Sequence, residues 1–70
     1  MRYSIHTHET STHVDISVVF AETLRKDDYL NWNRGRQRLL HHIRMAKLHN
    51  LTRSRVRIID DHILMMRLTK

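Results

Sequence analysis

The chain has 70 residues, with 13 Lys and Arg against 7 Asp and Glu and a formal net charge of +6. This length predicts a single small domain over residues 1–70 without a linker or tail, and a domain of this size seldom holds a deep catalytic cleft. The absence of cysteine excludes disulfides and thiolate metal sites.

Two runs of alternating residues near the start of the chain predict a β-hairpin. Apolar residues fall on every second position from 12 to 20, which is the period of a half-buried strand. Residues 3–6 alternate in the same way, and the polar residues 9–12 fit a loop between the two runs. We expect His8 to pair with His13, because this register keeps the apolar residues of both strands on one face.

A change of period after Phe20 predicts one main helix. Asp27 or Asp28 suits its N-cap, and good helix formers continue to about His49. Its expected core stripe consists of Trp32, Leu39, Leu40, Ile43 and Ala46, with Tyr29 as a further candidate. Gly35 interrupts this stripe, so the helix either continues through the glycine or is divided there by a turn.

Residues 51–70 return to strand character and predict a second hairpin about Asp60 and Asp61. A tight turn there pairs Ile58 with Ile63 and leaves an apolar row on the other face. This row consists of Leu64, Met66 and Leu68. Because monomers seldom expose such a row, we expect it to contact a partner or a second copy in a homodimer. The order β-β-α-β-β predicts an α+β fold, with the helix packed on one face of a mostly antiparallel four-stranded sheet.

The positive charge is concentrated in residues 29–59, which we call the cationic segment. Residues 1–28 carry a net charge of −2, whereas the cationic segment holds eight basic residues and no acid. The eight are Arg34, Arg36, Arg38, Arg44, Lys47, Arg53, Arg55 and Arg57. Alternation along a strand is expected to point the last three to one side. The planar donors of arginine suit phosphate and carboxylate groups.

The cationic segment favours a binding protein. Such cations replace counterions along a phosphate backbone, so we expect a non-catalytic protein that binds DNA or RNA in a regulatory or accessory role. A small domain of this kind would fit a viral or mobile-element genome. Three aromatic residues, Tyr3, Tyr29 and Trp32, would stack on bases only if they were exposed, and a small domain needs its large side chains in the core.

The alternative function is that of an inhibitor or adaptor. The same arginines would contact an acidic protein surface, or the strand that carries Leu64 would add to the edge of a partner's sheet. The sequence lacks a nucleophile elbow, a glycine-rich phosphate loop and a metalloprotease helix motif, so we expect no catalytic residues. No apolar run is long enough to span a bilayer, and we therefore expect a cytoplasmic protein without a membrane partner.

Seven histidines are a large number for this length. In the expected register, His6 lies opposite Asp15 and His8 lies opposite His13 on the outer face of the first hairpin, which makes the four residues candidate metal ligands. The solvated face of a hairpin explains them more simply, so we expect no metal and no other cofactor. Imidazoles ordinarily titrate near pH 6.5, and acidification is therefore expected to strengthen binding to a polyanion.

Overall fold

The computed structural model describes residues 2–70, which form five strands and one helix. The elements are β1 (Tyr3–Glu9), β2 (His13–Phe20), α1 (Tyr29–Met45), β3 (Thr52–Arg53), β4 (Arg57–Ile59) and β5 (Ile63–Thr69). All pairings are antiparallel in one sheet of order β1-β2-β5-β3, with β4 also paired to β5. The expected α+β fold is confirmed, with the first strand of the second hairpin divided into β3 and β4. No helix within residues 2–70 is long and apolar enough to cross a bilayer.

The hydrophobic core lies between α1 and the side of the sheet that faces it. Alternate residues of β2 are buried, as their period predicts, and they pack with buried residues of α1 and β5. The core residues are Val14, Ile16, Val18, Phe20, Leu24, Trp32, Leu39, Ile43, Leu64, Met66 and Leu68. The predicted helix stripe is confirmed at three positions, and Leu40 is half-buried. Ala46 and Tyr29 are exposed, because they lie at the two ends of the helix.

Gly35 lies inside α1, so the helix is continuous through the glycine. A Cβ atom at this position would lie 2.5 Å from Cζ of Phe20 and 2.8 Å from Cδ1 of Leu64. The missing side chain therefore allows the helix to approach the sheet closely. At the N-terminus of the helix, the carboxylate of Asp28 accepts a hydrogen bond from the N–H of Asn31 at 3.3 Å, which confirms Asp28 as the N-cap.

The helix ends at Met45 and not near His49 as expected. Lys47 has a left-handed φ of 59°. The N–H of Leu48 donates to the carbonyl of Ile43 at 2.9 Å, as in a Schellman motif. Because Leu48 packs against the core, this turn directs the chain back towards the sheet instead of extending the helix.

The first hairpin has the expected faces but a different register. His8 pairs with Asp15 and not with His13. The hydroxyl of Thr10 holds the turn, because it accepts the N–H groups of Thr12 and His13 and donates to the carbonyl of His13. The pairing is shifted by two residues, and an even shift leaves the same side chains facing the helix.

The second hairpin differs from the expected register by one residue. Asp60 and Asp61 form its turn with φ values of 52° and 58°. His62 is an extra residue between this turn and the strand ladder, so Ile58 pairs with Leu64. A shift of one residue moves every side chain of a strand to the opposite face of the sheet.

This shift places the apolar row of β5 in the core. The exposed fractions of Leu64, Met66 and Leu68 are 2%, 5% and 0%. In addition, β5 lies between β2 and the β3 and β4 pair, so it is not an edge strand. The expectations that this row forms a dimer or partner interface, and that its strand adds to another sheet, are therefore wrong.

Candidate functional site

The eight cations of the cationic segment are all exposed. Within residues 2–70, the ion pairs formed with carboxylates involve other basic residues, and none involves these eight. Helix α1 itself contains no acidic residue between its first and last positions. The positive charge of the segment is therefore left unneutralised by the described part of the chain.

Three of these cations, Arg34, Arg38 and Arg44, line a groove of about 760 Å³, which we call the arginine groove. It is formed by α1 together with the first residue of β1 and the last residue of β2. Its other lining residues are Tyr3, Phe20, Asn31, Gly35, Gln37, Leu40 and His41. No carboxylate lines the groove, so nothing in its lining would repel an anion.

Helical spacing explains why these cations come together. Arg34 and Arg38 are four residues apart, and His41 connects Arg38 to Arg44 in two steps of three. At about 1.5 Å per residue, the row from Arg34 to Arg44 extends about 15 Å along the helix. The arginine groove is thus elongated along the helix and lined by positive charge.

Tyr3 is a lining residue of the groove that the charge pattern alone does not indicate. It pairs with Phe20 and therefore stands on the helix-facing side of the sheet. Tyr3 remains 41% exposed, whereas Phe20 is buried and packs its ring edge-on against Trp32, with centroids 5.7 Å apart. Trp32 is also buried and donates its indole N–H to the carbonyl of Arg25 at 2.9 Å. Of the Tyr and Phe residues that line this groove, Tyr3 is therefore the exposed one.

Arg36 and Lys47 do not lie in the arginine groove. Arg36 lines a separate cavity of about 400 Å³ on another side of the helix. The other residues of this cavity are Tyr29, Trp32, Asn33, Val56, Ile58 and Leu64. Lys47 follows the C-cap of α1, where its backbone forms the turn that ends the helix.

The three arginines of the second hairpin are not aligned on one side of a strand. Arg53 pairs with the buried Leu68, whereas Arg57 pairs with Met65, a neighbour of opposite orientation on β5. Three residues lie between Arg53 and Arg57, but only two lie between their partners on β5. The extra residue forms a bulge that contains Arg55, and it puts Arg53 and Arg57 on opposite faces of the sheet. The expectation of one shared side is wrong because alternation does not continue across the bulge.

The four candidate metal ligands of the first hairpin are His6, His8, His13 and Asp15. The expected arrangement of these side chains is wrong, because the observed register sets His8 opposite Asp15 and gives the other two histidines partners that are not ligands. Within residues 2–70, no three histidine or carboxylate side chains are placed to hold a metal ion.

Asp15 instead forms a bidentate ion pair with Arg67 across β2 and β5. The guanidinium donates from Nε to Oδ1 at 2.8 Å and from Nη2 to Oδ2 at 3.1 Å. These hydrogen bonds lower the pKa of Asp15 below its ordinary value, with smaller contributions from the neighbouring His13 and His8. The carboxylate is therefore engaged in holding the central strands together.

Comparisons of the chain with protein-family models, with curated proteins and with solved structures find no match. The functional argument consequently depends on the charge and geometry of this chain. Of the eight sequence-predicted contacts, the fold gathers Arg34, Arg38 and Arg44 into one groove and distributes the others over different surfaces.

Proposed function

We propose that the protein binds nucleic acid through the arginine groove, in a non-catalytic regulatory or accessory role in the cytoplasm. The observation that carries this proposal is that Arg34, Arg38 and Arg44 share one groove without a lining carboxylate. Guanidinium groups that no carboxylate engages present their donors to phosphate oxygens. The net charge of +6 also favours association with a polyanion.

Counterion release supplies the affinity in this proposal. Each phosphate that an arginine neutralises lowers the slope of log affinity against log salt by about 0.9 for duplex DNA and about 0.7 for a single strand. Three groove arginines therefore account for a change of about 2–3 in that slope. The remaining cations add a weaker, distributed attraction.

Two variants with equal charge loss test the proposal. The groove variant replaces Arg34, Arg38 and Arg44 with Gln, and the matched control replaces Arg53, Arg55 and Arg57 with Gln. Binding to labelled DNA and RNA oligonucleotides is measured by fluorescence anisotropy from ~50 to ~300 mM salt, because log affinity falls linearly with log salt and the slope can be read over such a range. We expect the slope of log affinity against log salt to become shallower by about 2–3 in the groove variant. In the control variant, the slope should change by less than half as much.

Two results would count against this function. Absence of binding to any oligonucleotide at ~50 mM salt would exclude it, because the electrostatic attraction is strongest there. Equal losses in the two variants would show that net charge, and not the groove, determines binding. Circular dichroism of both variants establishes that each retains its fold.

A second candidate function is the binding of an acidic protein segment, and the cavity lined by Arg36 favours it. Tyr29 and Ile58 at this cavity are 76% and 54% exposed. Exposed Tyr and Arg beside apolar side chains are typical of the residues that dominate protein interfaces. Binding of labelled poly-L-glutamate to Arg36→Gln and to the groove variant distinguishes the two functions. Binding that is lost in Arg36→Gln and kept in the groove variant would favour the acidic protein partner, and we expect no such selective loss.

A further inference from the structure

The arginine groove combines an aromatic ring with a row of cations. Tyr3 lies at the groove with 41% of its surface exposed, and the buried Phe20, its neighbour across the two strands, also lines the groove. Arg34, Arg38 and Arg44 follow the helix on the same groove for about 15 Å. A ring and a line of cations in one channel are typical of proteins that bind single-stranded nucleic acid, where bases stack while the backbone follows the charge.

The form of this site favours a single strand over a duplex. In a duplex, the faces of the bases are covered by their neighbours in the stack, so Tyr3 could contact base edges, sugar or phosphate but could not stack on a base. In a single strand, the bases are free to turn towards an aromatic ring. We therefore propose that the arginine groove holds a single strand of nucleic acid, with its phosphates on Arg34, Arg38 and Arg44 and one base stacked on Tyr3.

This inference deepens the proposed function and depends on it. The roles of the residues are separable, because the arginines contribute charge and Tyr3 contributes stacking. Replacing an arginine changes both the affinity and its salt dependence. Replacing Tyr3 changes the affinity and leaves the salt dependence intact, since no charge is removed.

The test compares Tyr3→Leu, Tyr3→Phe and Tyr29→Leu by anisotropy with labelled (dT)12, (U)12 and a 12-base-pair DNA duplex. Tyr29 is the matched control, because it is 76% exposed and lies outside the arginine groove. We expect the unaltered protein to bind one or both single strands more tightly than the duplex. Tyr3→Leu is expected to weaken that binding roughly 5- to 150-fold without changing the salt slope.

The two other variants sharpen the comparison. Tyr3→Phe retains the ring and is expected to stay within about twofold of the unaltered protein, since stacking does not need the hydroxyl. Tyr29→Leu is expected to bind single strands like the unaltered protein. The relative affinities for (dT)12 and (U)12 show whether the groove prefers DNA or RNA.

A second measurement uses the unaltered protein and is independent of any folding defect in the variants. A single-stranded oligonucleotide that contains 5-bromodeoxyuridine is cross-linked by light, and the protein is digested with trypsin. We expect the cross-link on Tyr3, within the peptide that runs from Tyr3 to Arg25. A cross-link elsewhere, or none, would contradict the stacked base.

The outcomes separate this inference from the function on which it depends. Failure to bind single strands and duplex at ~50 mM salt overturns both. Binding to duplex as tight as to single strands, unchanged in Tyr3→Leu, leaves the nucleic-acid function in place and overturns the single-strand site.

Discussion

At the scale of single residues, Gly35 determines how closely the helix approaches the sheet. The sequence shows it only as a poor helix former inside a helical segment, at a cost of about 1 kcal/mol relative to alanine. The structure gives it a packing role, because Phe20 and Leu64 occupy the space that a side chain would need. Phe20 is further held by its edge-on contact with Trp32, which limits its ability to move aside.

We expect Gly35→Ala to destabilise the protein by about 1–2 kcal/mol, because overpacking outweighs the better helix propensity of alanine. Urea unfolding followed by circular dichroism measures the change. Gln37→Ala at an exposed position of the same helix is the control and should be neutral or slightly stabilising. Gly35→Ala combined with Phe20→Leu should lose less stability than the sum of the two single changes, since the shorter side chain makes room. A more stable Gly35→Ala would contradict this account.

At the scale of the elements, the turn that ends α1 requires an unfavourable backbone conformation. Lys47 adopts a left-handed φ of 59°, which is unfavourable for a residue with a Cβ atom. We expect Lys47→Gly to raise the free energy of unfolding by about 0.5–1 kcal/mol, because glycine adopts this conformation without steric cost. Thermal and urea unfolding measure the gain. Lys47→Ala removes the same charge but keeps the Cβ atom, so an equal gain in that control would attribute the effect to charge.

The pairing of β2 with β5 contains the ion pair that responds to acid. Arg67 lowers the pKa of Asp15 in the folded protein relative to the unfolded chain. The ion pair therefore stabilises the fold above the ordinary carboxyl pKa of about 3.9, and this contribution is lost as pH falls through the lower, folded value. We expect Asp15→Asn to unfold at lower temperature than the unaltered protein at pH 7, and the two melting temperatures to converge as pH falls through the lowered pKa of Asp15.

Asp27→Asn is the matched control for the effect of Asp15. Asp27 also pairs with an arginine, but the side chains of Asp27 and Arg25 are 63% and 85% exposed. Exposed ion pairs contribute little, so we expect almost no change in melting temperature at either pH. A difference between Asp15→Asn and the unaltered protein that does not narrow as pH falls would assign the effect to packing.

At the scale of the whole molecule, hydrophobic periodicity predicts which segments are helices and strands. It does not reveal the bulges, and these determine which face of the sheet a side chain occupies. The alternation of β2 and the apolar stripe of α1 fix which residues enter the core, since burial follows period. The register of the second hairpin depends on the single extra residue His62, which the hydrophobic periodicity does not reveal. That one residue turns Leu64 and its row from an expected surface into core.

The candidate site is predictable to a similar extent. The count of cations without acids identifies the segment, and helical spacing joins Arg34 to Arg38. The inclusion of Tyr3 is not predictable by those means, because it depends on how α1 lies across the ends of β1 and β2. The local sequence pattern therefore indicates a cationic site, and the tertiary arrangement determines which residues line it.

The central strands β2 and β5 are also far apart in sequence, as the Asp15–Arg67 pair across 52 residues illustrates. During synthesis, the hairpin of β1 and β2 emerges long before β5, the other neighbour of β2, has been made. An isolated two-stranded hairpin is at best marginally stable in water. Closing so long a loop is also entropically unfavourable, which slows the search for native contacts. The nascent chain is therefore expected to gain its cooperative stability late, when β5 has left the ribosome and its apolar row can pack beside that of β2.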